Sequence, residues 1–443
     1  MRRIFLLPIC LAFACGAMAQ TAPMTLDECM RYAVEHSTAV NKQLFTNDTY
    51  RQDVTEALAS LFPSVDARVN TSNNYGRSID PETNAYTTTS TFSNGYSVSG
   101  SMPVFAGFSN INTLRAARVG RLMGKQQLEQ ARDEVSLEVM RAYFDVVYYT
   151  DCVKMAAEQA AASRSNWQKN VKLEELGLKS AADVAQLESQ AAADEYQLVS
   201  QENNRDLAML TLRKAMNWPE DEPLEVDTEV RIEVDLAAER PSLDELTEFA
   251  VRNNPKMAAS DLRLRQSKIR YSIARGRYTP SVSVGGGYST SFFKNMSSDT
   301  VYPSFKDQFK DNRSYYFSAS LSIPIFSGLY RRTAVHRARN NMRIAEQENI
   351  ETARTLRNEI AQTLQQVQGY GKQYVQAGKK VNAAQLAYRA TEHKFEQGLV
   401  DPIELQTSAN LLLQAKSERL NARLQYIIQS RMADYYNGLP LIR

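Results

Sequence analysis

The chain is poor in the residues on which metal and disulfide scaffolds depend. It has 443 residues but only 3 histidines, 4 cysteines and 2 tryptophans, which disfavours a multi-histidine metal site and a disulfide-rich fold. Glycine and proline, at 18 and 14 residues, are too few for a collagen-like chain. The mean hydropathy of −0.43 and the absence of long internal apolar runs exclude a polytopic helical membrane protein. The 43% hydrophobic and 23% charged residues are normal for a folded protein.

Patterns that would indicate catalysis are also missing. His36, His336 and His393 lie far apart, and none belongs to an H-E-x-x-H motif. The glycines at 285–287 lack the lysine and Ser/Thr of a phosphate-binding loop. We therefore expect no enzymatic activity, no cofactor and no metal.

The N-terminus has the form of a secretory signal peptide. Arg2 and Arg3 precede an apolar stretch at 4–14, which is too short to span a bilayer and is followed by an A-x-A motif ending at Ala19. The sequence predicts cleavage after Ala19 and export. Two alternatives stay open: a lipoprotein signal at Cys15, whose preceding residues fit a lipobox poorly, and a retained anchor.

Export leaves a formally neutral chain. Residues 1–19 carry two of the 52 basic residues and none of the 50 acidic residues, so the mature protein is balanced and has no electrostatic reason to bind nucleic acid. Two cysteines, Cys29 and Cys152, remain after cleavage. Their spacing does not decide whether they form a disulfide.

The sequence contains an internal duplication. Leu26-Asp27-Glu28 recurs 217 residues later, as does Pro63-Ser64-Val65, whereas Met102-Pro103-Val104-Phe105-Ala106-Gly107 and Gly177-Leu178 recur as similar motifs 221 residues later. The offsets are constant on both sides of one four-residue insertion, which indicates two copies of one structural unit.

This duplication predicts a division of the chain. We expect a signal peptide at 1–19, a first repeat at 20–217, an acidic linker or equatorial segment at 218–242, a second repeat at 243–438 and a short tail at 439–443. Each repeat is predicted to contain a helix, a strand, a loop, a strand, a very long helix, a turn and a helix. The linker is predicted to run along the surface, with one short strand near Glu229–Asp235.

Very long helices follow from the apolar spacing. Proline is absent between Val104 and Trp218, and between Ile325 and Asp401. Apolar residues from Leu128 to Ala160 alternate in steps of three and four, the pattern of a coiled-coil seam. A helix from about 108 to 176 would be roughly 100 Å long. The spacing alone favours an ordinary rod-like coiled coil.

Four segments alternate apolar and polar residues with the period of a strand: 64–75, 96–102, 281–289 and 315–323. The pattern fits either a half-buried soluble sheet or a transmembrane barrel with one apolar and one polar face. Four strands cannot close a barrel, so barrel strands would require several chains; three chains would supply 12 strands. The polar, aromatic segments 73–95 and 289–312 are predicted to be external loops.

Prolines and glycines mark the expected joints between helices and strands. We expect Pro63 and Pro280 where a helix becomes a strand, and Pro103 and Pro324 where a strand becomes a helix. Gly107 and Gly328 follow the latter pair and permit an unusual turn.

The duplication, the P-V-F-x-G and P-I-F-x-G joints and the Gly-Leu turns at 177–178 and 398–399 together resemble the TolC-like outer-membrane efflux proteins. The resemblance covers about 25–438. It implies an α+β membrane protein: a homotrimer with a 12-stranded transmembrane β-barrel in outer-membrane lipid and an internally duplicated α-helical coiled-coil barrel extending into the periplasm. It also implies docking to a periplasmic adaptor, or membrane fusion protein, and to an inner-membrane RND or ABC-type transporter.

The turns of the two long hairpins are the expected functional sites. Gly177 and Gly398 are predicted to end the long helices, and capping boxes with Asp183 and Glu404 to start the next ones. By the resemblance, Glu404 and Thr407 fall on entrance positions that are acidic in the family, so Thr407 departs from the pattern. Asp183 is a further gating candidate. Leu178, Leu399 and Val400 are predicted either to dock an adaptor or to pack within their own hairpins.

Two classes of function stay open on the sequence. The first is a passive trimeric conduit for efflux or type I export of small molecules or peptides. The second is a structural coiled-coil protein of the periplasm or surface. The sequence names neither the cargo nor the pump class.

Overall fold

The fold is seen in a computed structural model that describes residues 23–79, 84–229, 241–297 and 301–442. The predicted signal peptide, with Cys15, lies outside the described residues, as does most of the short strand predicted near Glu229–Asp235.

The two halves of the chain have parallel element orders. The first half contains α1 Leu26–His36, α2 Thr38–Ala59, β1 Ser64–Ile79, β2 Tyr86–Ala106, α3 Ser109–Glu175 and α4 Ala181–Met216. The second half contains α5 Leu243–Asn253, α6 Pro255–Gly276, β3 Ser281–Asn295, α7 Phe305–Asp311, β4 Ser314–Ser322, α8 Tyr330–Glu396 and α9 Pro402–Tyr436. The predicted order is confirmed except that two helices, not one, precede each strand pair and that α7 was not expected.

The first helix of each half is divided because its sequence supplies a second helix start. The hydroxyl of Ser37 accepts hydrogen bonds from the amides of Ala39 and Val40 and starts α2. In the second half, the Asn254 side chain accepts from Lys256, and Pro255 occupies the first helical position, where proline is tolerated.

The two longest helices have 67 residues each, about 100 Å at 1.5 Å per residue. The predicted limits of α3, 108–176, differ from the observed ones by one residue at each end. The predicted seam is largely buried; Val139 and Val146 are completely inaccessible. α3 packs along α4, and α8 packs along α9, so each half forms a long helical hairpin.

One antiparallel sheet contains the four strands in the order β1-β2-β3-β4. Tyr96 on β2 lies opposite Val69 on β1 and Thr290 on β3, and Tyr288 on β3 lies opposite Tyr315 on β4. Residues in these registers share one face, the apolar face, which also carries Val65, Val98, Val284, Phe317 and Leu321. The other face is rich in serine. Among the described residues, the sheet does not close into a barrel.

The loop predicted at 73–95 is wrong. β1 continues to Ile79 and β2 begins at Tyr86. The two strands pair without interruption as far as Ile79 opposite Tyr86. Backbone pairing in a hairpin satisfies the amides and carbonyls whatever the side chains are, and the Thr, Ser and Tyr residues here tolerate strand geometry. In the second half the predicted loop is also reduced, because β3 extends to Asn295 and α7 follows.

The joints between sheet and helices are compact turns. Pro63 and Pro280 each stand directly before a strand, and Pro324 follows β4. Pro103 does not end its strand: β2 passes through a register shift between Pro103 and Phe105 and continues to Ala106.

Gly107 and Gly328 both have positive φ, +61° and +56°, and each is followed by a residue in the left-handed region. A Cβ at Gly107 would lie 2.2 Å from the carbonyl oxygen of Gly276, whereas the space around Gly328 is open in this chain.

The remaining core lies where the short helices cross the middle of α3. Met30, Met140, Leu212 and Ile427, from four helices, are fully buried there. Met24 forms a parallel bridge with Val226, so the N-terminal segment pairs with the start of the linker. Cys29 and Cys152 are both buried and unbonded. Among the described residues, no helix is both long enough and apolar enough to cross a membrane.

Candidate functional site

The candidate site is formed by the turns at the far ends of the two helical hairpins. At the first tip, Gly177 adopts φ +76°, its amide donates to the Glu174 carbonyl at 2.7 Å, and the Leu178 amide donates to the Leu173 carbonyl at 2.8 Å. This pair of bonds is a Schellman motif, which ends the helix because glycine adopts the left-handed conformation without strain.

The second tip repeats this geometry. Gly398 adopts φ +73°, its amide donates to the Phe395 carbonyl at 3.0 Å, and the Leu399 amide donates to the Lys394 carbonyl at 2.9 Å. The two turns therefore have the same backbone although their flanking side chains differ.

Each tip turn leads directly into a capped helix. The Ser180 hydroxyl accepts from the Asp183 amide at 3.1 Å, and the Asp401 carboxylate accepts from the Glu404 amide at 2.9 Å. The reciprocal bonds of full capping boxes are not formed at these positions, so the acidic side chains of Asp183 and Glu404 are not used as caps.

Full capping boxes occur instead at the starts of α1 and α5. Thr25 pairs with Glu28, and Ser242 pairs with Glu245, in both directions. The backbone and hydroxyl hydrogen bonds from each cap residue lower the pKa of the Glu28 and Glu245 carboxyls.

The predicted entrance residues differ in exposure. Glu404 and Thr407 are exposed, and the Thr407 hydroxyl donates to the Ile403 carbonyl at 2.8 Å. Asp183 is half-buried. Among the described residues, neither Asp183 nor Glu404 forms an ion pair with the nearby basic residues Lys172, Arg389 or Lys394.

The predicted docking residues separate into two groups. Leu178 and Leu399 each retain 69% of their accessible surface, so both present apolar side chains to solvent at the extreme ends of the hairpins. Val400 is half-buried and packs against the apolar contact between the hairpins. Val400 therefore packs against its neighbours, whereas docking of an adaptor by Leu178 and Leu399 stays a prediction.

A small apolar cluster, the tip cluster, joins the two hairpins near their ends. Its buried members are Leu187 from α4, Phe395 from α8 and Leu405 from α9; Trp167, Tyr388 and Val400 surround them. The Lys179 ammonium lies 5.4 Å from the centre of the Phe395 ring, so a residue of the first turn contacts an aromatic ring of the second hairpin.

Tyr388 adds a polar contact at the edge of the tip cluster. Its hydroxyl donates to the Glu392 carboxylate at 3.0 Å. Burial, followed by the nearby Glu392 charge, raises the pKa of Tyr388 to about 12. The phenol is therefore neutral at physiological pH and remains a hydrogen-bond donor.

Sequence reasoning missed most of the tip cluster. Leu187 and Leu405 are more than 200 residues apart, and no local spacing indicates that they meet. The weak signal was that Phe395 and Val400 are apolar residues on either side of the predicted glycine turn at 398. Within the described residues, no His, Cys, Asp and Glu side chains gather in a group able to hold a metal ion.

Comparison with known proteins identifies the class. The family model for outer membrane efflux proteins matches residues 31–217 and 246–432, one match in each half of the chain. The chain therefore belongs to the outer membrane efflux protein family. It is accordingly an outer-membrane protein of the efflux-channel class, with its helical tunnel in the periplasm.

A curated relative and several solved structures are similar. Outer membrane protein TolC of Vibrio cholerae serotype O1 is 25% identical over 304 residues, which are 66% of this chain and 65% of the relative. This chain thus matches slightly less than two thirds of that relative's length.

The fold similarity extends further than the sequence similarity. The outer membrane protein VceC of Vibrio cholerae has a TM-score of 0.77 at 14% identity, covering 94% of this chain and 96% of that one. The open state of the Neisseria gonorrhoeae MtrE outer membrane channel has a TM-score of 0.72 at 18% identity, covering 93% and 88%.

Proposed function

We propose that three copies of this chain form one continuous channel-tunnel that carries solutes from the periplasm across the outer membrane without catalysis. The supporting observation is that the two main contacts between the halves lack their repeat counterparts. Within the chain, β2 of the first half pairs with β3 of the second, and α3 packs on α6. Among the described residues, the equivalent surfaces, the outer edge of β4 and one side of α8, have no such partners. In a ring they meet β1 and α2 of the next copy.

Exposure supports this arrangement at particular residues. All nine residues of β4 are exposed in the single chain. Ile344 on α8, which is 55% exposed, is the repeat counterpart of Met123 on α3, which is 7% exposed. The open space at Gly328 contrasts with the close approach at Gly107 in the same way.

The sheet has the two-faced pattern that a shared barrel requires. Its apolar face would contact lipid, and its serine-rich face would line the lumen. An unpaired sheet edge is not tolerated in the hydrocarbon region, so β4 and β1 must pair between copies. Three copies give 12 strands, an even number within the range of such barrels.

The hairpin tips form the periplasmic entrance in this proposal. Three exposed Glu404 carboxylates would make a negative ring that favours cations, with Thr407 one turn further along and Asp183 on the adjacent hairpin. The exposed Leu178 and Leu399, on the glycine turns at 177 and 398, would contact a periplasmic adaptor that links the channel to an RND or ABC-type transporter. Val400 would support the second turn from inside the tip cluster.

The domain division belongs to the same proposal. Residues 1–19 are removed on export, 20–217 and 243–438 form the two repeats, 218–242 connect them around the middle of the tunnel, and 439–443 form a tail. Pro63, Gly107, Pro280, Pro324 and Gly328 redirect the chain between barrel and tunnel. Pro103 lies inside β2, at the register shift before the joint.

The decisive experiment measures mass and conductance of the purified mature protein in detergent and in planar bilayers. We expect a particle of three chains that inserts and conducts. A monodisperse monomer, or a protein that never inserts, would contradict the proposal. Deleting the protein from cells should raise periplasmic retention of dyes, bile acids or secreted peptides, and the retained compounds identify the cargo.

A second experiment addresses the entrance. Glu404→Gln should weaken cation block and lower cation preference in planar bilayers, because it removes three charges from one ring. Glu346→Gln is the matched control, since Glu346 is exposed on α8 far from the tip. Equal conductance and block in the wild type and both variants would remove Glu404 from the entrance.

A further inference from the structure

Helix α7 lies on the apolar face of the sheet, toward the end of the strands that is farther from the long helices, called the upper end below. The ring centres of Phe305 and Phe309 are 6.2 and 5.4 Å from that of Tyr96 on β2, and Phe305 is 5.4 Å from Phe292 on β3. The Thr290 hydroxyl also donates to the Phe309 carbonyl at 2.7 Å. The helix is therefore fixed against the face that contacts lipid in the proposed barrel.

The side chain of Gln308 attaches α7 to the edge of β3. Its amide oxygen accepts from the Phe293 backbone at 2.9 Å, and its amide nitrogen donates to the Phe293 carbonyl at 2.9 Å. The Asn312 side chain donates to the Ser291 carbonyl at 2.8 Å. β4 pairs with β3 only as far as Ser289, so these amides replace a strand beyond that point.

The height of α7 can be derived from the strand geometry. Thr290 is nine residues beyond Ser281, the first residue of β3. At about 3.4 Å per residue and a tilt of about 40°, this is a rise of roughly 23 Å. The apolar band of an outer-membrane barrel is about 25 Å tall. α7 therefore stands at the level of the outer-leaflet headgroups, and this placement rests on the proposed barrel.

The charged strand residues on this face are basic at that level, and α7 adds both lysines and aspartates. Within the four described strands, the charged residues of the apolar face are Arg77 and Lys294, both near the upper ends. Lys306 and Lys310 lie four residues apart on one side of α7 and are exposed, as is Lys294. Asp307 and Asp311 lie on a neighbouring side, and Asp307 accepts a bond from Ser304 at 2.6 Å.

We propose that Lys294, Lys306 and Lys310 form a binding surface for the phosphate groups of outer-leaflet lipid. Ammonium groups bind phosphate as compact point charges. The aromatic rings beneath them lie at the apolar boundary, where aromatic girdles flank such barrels. Each basic residue near an anionic lipid surface contributes roughly a fivefold factor in affinity.

The test uses the full-length protein purified in detergent and measures binding of lipid A. Neutralising all three residues (Lys294→Gln, Lys306→Gln and Lys310→Gln) should weaken binding on the order of a hundredfold. The matched control neutralises three exposed lysines on the tunnel helices, Lys42, Lys169 and Lys379, and should bind as the wild type does.

Two further arms identify the ligand source. Dephosphorylated lipid A should bind the wild type much more weakly, and a large excess of inorganic phosphate should not displace lipid A. Equal binding by the triple variant and its control, undiminished binding of dephosphorylated lipid A, or full displacement by inorganic phosphate would each overturn the proposal. The triple variant should conduct in planar bilayers as the wild type does. If the wild type itself does not conduct, that result contradicts the proposed channel rather than the lipid-binding surface.

Discussion

The two long helices α3 and α8 have the same length but very different environments. Both contain 67 residues, yet 20 residues of α3 are buried and only 8 of α8. α3 packs against α2 and α6 on its two sides. α8 packs against α6, the repeat counterpart of α2, and the described chain supplies no counterpart of the α3–α6 contact. The duplicated sequence therefore gives one long helix in the interior of the chain and one at its edge. The difference in their buried residues indicates how much of α8 the neighbouring subunit must cover.

The largest effect should come from the glycine joints. Gly107→Ala should cost about 3–5 kcal/mol, from left-handed strain plus collision with the Gly276 backbone. In the single chain, Gly328→Ala would cost only about 1–2 kcal/mol, from strain alone. In the proposed ring the next subunit covers Gly328, so the temperature at which the trimer dissociates on gels should fall by similar amounts for both variants. A much smaller loss for Gly328→Ala would contradict close approach of the next subunit at this joint.

The next largest effect should come from the tip cluster, where a substitution in the second hairpin should matter and its counterpart in the first should not. Phe395→Ala removes a buried ring and should cost about 3 kcal/mol, so amides at 388–405 should exchange roughly a hundredfold faster. The repeat counterpart is Glu174, and Glu174→Ala should leave exchange at the first tip nearly unchanged. If both variants loosen their tips equally, Phe395 does not hold the hairpins together.

The edge position of α8 can be tested directly at Ile344. Ile344→Glu should leave the single chain folded, because the side chain is 55% exposed there, but should weaken assembly by about 2 kcal/mol through burial of an unpaired charge. Light scattering in detergent measures the trimer fraction. Lys379→Glu, at an exposed residue elsewhere on α8, is the control. Unaltered assembly of both variants would place the subunit contact elsewhere.

The helix caps are places where the two halves should behave alike. Thr25→Ala and Ser242→Ala each remove a full capping box and should each cost about 1 kcal/mol. Thermal dissociation of the two variants should therefore shift by similar amounts. A clear inequality would show that one of the two short helices contributes little to stability.

The smallest expected effect depends on pH. Burial raises the pKa of the Asp133 carboxyl, against the Tyr435 hydroxyl bond at 2.7 Å that lowers it. The folded state then binds the proton more tightly than the unfolded state, so stability should fall as pH rises from the ordinary carboxyl pKa through the raised one. Asp133→Asn should flatten this part of the pH-stability curve.

The sequence could predict the architecture because its duplication repeats every boundary. The limits of α3 follow from the absence of proline and the steps of three and four, and the joints follow from prolines at matched offsets. The strands beyond Tyr75 could not be recognised, because their residues do not alternate regularly between apolar and polar. Hairpin pairing and ring contacts such as Phe92 with Phe292 hold them. α7 is too short for a helical period, and Gln308 acts across 15 residues.

The candidate site was predicted less completely, because part of it depends on contacts between residues that are distant in sequence. The glycine turns and their caps are local, and Gly177, Gly398, Ser180 and Asp401 act as their sequence context indicates. The tip cluster is not local: Leu187 meets Phe395 and Leu405 only after two separate hairpins have formed. Exposure differences between counterparts such as Met123 and Ile344 likewise depend on three-dimensional position rather than on composition.

The hydrogen bonds between the Gln308 side-chain amide and β3 have a consequence before the subunits assemble. A newly exported subunit still has open strand edges, and such edges invite promiscuous aggregation in the periplasm. Gln308 and Asn312 occupy the upper β3 edge already, which confines recruitment of another polypeptide to β4 and β1. These hydrogen bonds thus reduce the number of free strand edges through which an unassembled subunit can polymerise incorrectly.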